Sequence, residues 1–180
     1  MVSSLQHEDC QALVEAAIDA AGDTARIPPA AIERCFGSAD ELAAAAYSRA
    51  AQLLMSEMTE GLAESGPWLV RWERAVRAVV AAVRLRPGLA HLTLNESEAG
   101  SDEIRERRML YRREFIDLLE AEYTRDRDPA EVPELHVELL AGAVYRAYVA
   151  EAVAGRLTDP RADVVPKLVN VIALLEPVPA

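Results

Sequence analysis

Residues 68 to 88, WLVRWERAVRAVVAAVRLRPG, set the terms on which this chain can fold. Leu69, Trp72, Ala75, Val76, Val79 and Val83 recur every three or four residues, a spacing that gathers them on one side of an α-helix. Pro87 and Gly88 then stop it, since proline cannot continue a helix. The same rhythm returns in segment after segment. In CQALVEAAIDAAG, Cys10, Leu13, Val14, Ala17, Ile18 and Ala21 share a face, and Gly22 suits a C-terminal cap. Glu8, Glu15, Asp19 and Asp23 lie near the opposite side. PAAIERCF can make two helical turns. Ser38 with Glu41 forms a capping box that opens a helix running from about Ala39 to Ala63. GLAHLTLNESEAGS reads as a short helix and a loop. Three longer helices follow, over Asp102–Tyr123, about Glu134–Ala154 and about Asp163–Leu175. Aromatic residues are only 5%, and strands favour aromatic and β-branched side chains. The expected fold class is all-α.

The 180 residues suit one domain, or a small head on a larger body. A net charge of −11 disfavours a general nucleic-acid binder, because duplex affinity rests on neutralising phosphates. It equally disfavours an anionic membrane surface. Charges interrupt every apolar run before the ~18 residues that a membrane span needs. MVSSLQHEDC has no basic region followed by an apolar stretch, so no signal peptide is expected and the chain is placed in the cytoplasm. Cys10 and Cys35 are then expected as two free thiols. His7, His91 and His136 are scattered without metal-ligand spacing, and no Gly-rich phosphate loop occurs. Neither a metal, nor a cofactor, nor a catalytic group is expected.

The last two helices are apolar nearly all round, and a helix of that kind must be covered nearly all round. The sequence ends with them. The expected cover is a second copy of the same pair across a two-fold axis, an isologous homodimer. Its seam would be drawn from Leu139, Val144, Val149 and Val153 in the first helix. Val164, Leu168, Val171, Ile172 and Leu175 would come from the second. Two core helices of a monomer are the alternative. RERRMLYRRE, residues 105 to 114, is the only basic cluster. Glu103, Glu106 and Glu114 lie at helical pairing distance, so it reads as a salt-bridged face, with an anion site as the alternative.

Two stretches, LVEAAIDAA and AIERCFGSADELAAAAY, have the order of a first helix and a recognition helix running into a fourth. AVVAAVRLRPGLAHLTLNES and GRLTDPRADVVPKLVNVIALL supply a broken fifth helix and a closing helix. Together they resemble the TetR family of bacterial transcriptional regulators, most specifically at Phe36–Leu42. The resemblance covers most of the chain. It implies a TetR-like helical bundle, with a head over residues 1–47 and an effector-binding, dimerising body over 48–180. By family position Ala31, Glu33, Arg34 and Cys35 would face DNA. The effector pocket would be lined by Trp72, His91, Asn95, Tyr111, Phe115, Tyr145 and Tyr148, with an unidentified small molecule as partner.

The head departs from the family. Only GDTARIPP separates the first helix from the recognition helix, too little for the positioning helix that crosses the phosphate backbone. Residues 1–46 hold two arginines, Arg26 and Arg34, against eight acids, a net charge of −6. Such a head is repelled by DNA. The expectation is a ligand-sensing homodimer with an impaired DNA-reading head. The alternatives are a working repressor released by an effector, and an enzyme or carrier using the body cavity.

Overall fold

The computed structural model describes residues 2–21, 23–94, 101–128, 132–133 and 135–176, with side chains from His7 onward. Among these residues there are eight α-helices and no strand. They are α1 (Val2–Asp19), α2 (Pro29–Phe36), α3 (Ala39–Ala63), α4 (Trp68–Leu85), α5 (Gly88–Leu94), α6 (Asp102–Thr124), α7 (His136–Val153) and α8 (Val165–Leu175). No helix is long and apolar enough to cross a membrane among the described residues.

The local chemistry accounts for the boundaries. Pro29 opens α2 in the first turn, where its missing N–H costs nothing. Gly37 ends it at a φ of 76°, a backbone region that glycine enters freely. Ser38 then caps α3 by accepting from the Glu41 N–H at 3.2 Å. Ser101 caps α6 in the same way through Ile104. Two expected boundaries shift. α8 begins at Val165 rather than near Asp163, with Pro166 in its first turn. α1 reaches back to Val2, through residues whose apolar spacing is weak. Gly22 lies outside the described residues.

α3 is the central helix. It packs on α4 most extensively and also meets α1, α2, α5 and α6. Gly61 permits the α3–α4 crossing: a Cβ there would lie 2.5 Å from the Ala75 Cα. One continuous core runs from Ala17, Ile18 and Ile32 through Leu42, Trp72 and Val76 to Leu140, Leu168 and Ile172. The boundary expected at 47/48 between a head and a body falls inside α3, so one uninterrupted helix spans it.

Ion pairs fasten the layers. Glu15 on α1 accepts from Arg49 of α3 at 3.0 Å and from Arg86, after α4, at 2.8 Å. Burial alone would raise the Glu15 carboxyl, but the two guanidiniums outweigh it and hold its pKa below the ordinary carboxylate range. The buried Arg71 ties α4 to the end of α6, donating to Asp126 at 2.7 Å and to the Glu122 carbonyl at 3.0 Å. Arg156 grips the buried Glu151 with two bonds of 2.6 and 2.7 Å, which folds the chain back after α7 towards α8.

The cysteines correct an expectation. Cys10 of α1 and Cys35 of α2 are not free thiols but a disulfide. The packing of α2 against α1 brings their Cα atoms to 5.4 Å, within bridging range.

Candidate ligand site

Four helices leave a gap between them. Tyr47, Ala51, Leu54, Met55 and Met58 form one stripe of α3, and Val79 and Val83 face them from α4. Arg108, Tyr111, Arg112 and Phe115 repeat at helical intervals on α6, and Ala141, Val144, Tyr145 and Tyr148 do the same on α7. The end of α5 adds Thr93 and Leu94. The cavity is open to solvent on one side, where Arg112 and Arg146 are exposed, and has a volume of about 560 Å3. That lies within the range of small-molecule sites, about 300–1,000 Å3, and the mixture of apolar walls with a few polar groups is typical of them.

The aromatic residues organise one side. Tyr47 is buried, and its ring meets Tyr111 edge-on at 6.1 Å. The Arg108 guanidinium lies over the Tyr47 ring, 5.7 Å from its centre. Burial pushes the Tyr47 hydroxyl up to about 12; Arg108 opposes the rise, while Tyr145 and Tyr111 add to it. Tyr148 is 5% exposed, and its hydroxyl has no hydrogen-bond partner among the described residues. Burial raises its pKa as well. Both phenols are therefore neutral donors at neutral pH.

The sequence-derived lining residues divide. Tyr111, Phe115, Tyr145 and Tyr148 converge on the cavity. Trp72 does not: it is fully buried in the core, 5.9 Å from the Trp68 ring. It shares the face of Val79 and Val83 but lies two turns earlier on α4, beyond the end of the cavity. His91 also lies elsewhere, exposed on α5 beside a separate cleft with Asp19 and Pro87. Asn95 falls outside the described residues. Sequence reasoning missed Tyr47, Arg108, Arg112 and Arg146. The signal for Tyr47 was its register with Ala51, Leu54 and Met58; for the first two arginines it was the basic cluster itself. That cluster splits. Arg105 pairs with Asp102, Arg107 with Glu103 and Arg113 with Asp117, whereas Arg108 and Arg112 line the cavity.

The residues assigned to a seam divide too. Val144, Val164, Leu168 and Ile172 are buried in the chain's own core. Val149 and Val171 are half-buried. Leu139 at 67%, Val153 at 83% and Leu175 at 39% are exposed, joined by Leu174 at 84%.

In the head, a single turn of 3-10 helix, Thr24–Arg26, occupies the space between α1 and α2. Glu33 and Arg34 are exposed on α2, Ala31 is half-buried, and Cys35 is held to α1 by the disulfide. Tyr123 and His136 meet at 3.0 Å on the far side of the core, with Arg127 over the Tyr123 ring at 3.8 Å. No group of three potential metal ligands occurs among the described residues.

No protein-family model and no curated protein matches this chain.

Proposed function

We propose that this chain is a TetR-like regulatory protein, a ligand-sensing homodimer whose head does not read DNA. The observation that carries the proposal is the cavity of about 560 Å3 walled by α3, α4, α6 and α7. Its position suits sensing. α3 contributes Tyr47 to the cavity and, one turn earlier, Leu42 to the packing of the head. A molecule wedged between α3, α6 and α7 therefore bears on a helix that continues into the head.

Three further features support the reading. The helix order is compatible with the resemblance: α1 and a short α2 precede the long α3, and α7 packs on α8. The 3-10 turn stands where a DNA-reading head needs its positioning helix. The exposed Leu139, Val153 and Leu174 give a second copy an apolar surface to cover.

Fluorescence anisotropy with DNA from the gene's own upstream region tests the proposal, alongside native mass spectrometry of the purified protein. The expected outcome is a two-chain mass with no specific, salt-sensitive DNA binding. Tight binding that weakens steeply with salt would make the chain a working repressor instead.

A further inference from the structure

The charged residues that line the cavity are all basic, in an acidic chain. Arg108, Arg112 and Arg146 line it, and no Asp or Glu does among the described residues, in a chain with a net charge of −11. Arg108 and Arg112 are one turn apart on α6, and Arg146 comes from α7, so the cations converge from two helices.

We infer that the cavity takes an apolar monoanion, a carboxylic acid with an aliphatic or aromatic body, its carboxylate facing Arg108, Arg112 and Arg146. The inference rests on the ligand-sensing proposal above and names the class of ligand. The body of the molecule lies against Met55, Met58, Val79 and Phe115. Other classes fit less well. Four tyrosine rings could cradle an organic cation, but three guanidiniums oppose it. A nucleotide would bury a sugar and several phosphates against walls that are mostly aliphatic and aromatic.

Isothermal titration of the whole chain with decanoate, decanol and decyltrimethylammonium separates these classes, since the three share a tail and differ in the head. Decanoate is expected to saturate at one per chain, about tenfold or more tighter than decanol, because a charge-assisted hydrogen bond supplies that margin. The ammonium should not bind. Arg112→Met should weaken decanoate about tenfold and leave decanol unchanged. Arg112 is exposed, so its variant should keep an unchanged circular dichroism spectrum. Decanol binding as tightly as decanoate, or the ammonium binding more tightly, overturns the anion assignment and leaves the cavity a ligand site. Failure of all three to bind overturns both.

Discussion

Gly61 and Gly142 both sit inside long helices, yet an added methyl group meets opposite surroundings at the two. At Gly61 it would collide with the backbone of Ala75, and at Gly142 it meets nothing within 4 Å. Gly142→Ala should therefore stabilise the protein by about 1 kcal/mol, the helix-propensity difference, with little to oppose it. Gly61→Ala should destabilise it by about 1–3 kcal/mol, because α3 and α4 must move apart. Thermal or urea unfolding of the two variants checks both signs. Glu15 gives a prediction in pH. Its folded-state pKa is lowered, so its contribution is complete above the ordinary carboxylate value, about 4.3, and is lost as pH falls through the lowered value. Glu15→Gln should flatten the stability profile between about pH 5 and pH 3, where the parent protein loses stability with acid. An equal slope in both proteins would remove Glu15 from the acid response. Side-chain roles were partly legible from spacing. The registers of Tyr111 with Phe115 and of Tyr145 with Tyr148 put each pair on one face. Spacing identifies a face but not how far along it the cavity reaches, and so Trp72, two turns before Val79 on the same face of α4, was assigned to the cavity when it fills the core beside Trp68.

Most helices were readable because their ends carry local chemistry. Ser38, Glu41, Pro29 and the Pro87–Gly88 break act within a few residues, and the structure uses each of them where the sequence implies. The first turns of α1 were not legible, since the stretch before Cys10 has little apolar periodicity. The disulfide could not be read either. It depends on how α1 lies against α2 across 25 residues of sequence, which two cysteines alone do not reveal. The bridge also removes one support for placing the chain in a reducing compartment. It predicts a measurable restraint. Closing a loop of this size contributes about 3 kcal/mol by limiting the unfolded chain. Cys10→Ser combined with Cys35→Ser, or a reductant on the parent chain, should lower the denaturation midpoint accordingly. A midpoint insensitive to reductant would show that the bridge restrains nothing that the packing of α1 on α2 does not already hold.

Across the whole molecule, head and body share one core, and α3 runs through both. The apolar character of α7 and α8 resolves into two parts: one set of side chains fills the chain's own interior, while Leu139, Val153 and Leu174 remain exposed. The proposed dimer must rest on the exposed set. Leu139→Glu with Leu174→Glu should convert a two-chain species to single chains in sedimentation velocity, without loss of helix; an unchanged mass would exclude this surface as the seam. The central claim is that the function resides in the body cavity, and Gly142 allows it to be blocked. A Cβ at that position meets nothing within 4 Å, so a phenylalanine there would project from the cavity wall into the cavity beside Tyr145 and Ala141. The most direct measurement is saturation binding of 1-anilinonaphthalene-8-sulfonate, an apolar anionic dye, to the parent chain and to Gly142→Phe. The account predicts one dye per parent chain and none on the folded variant. Equal binding by a folded Gly142→Phe would contradict it.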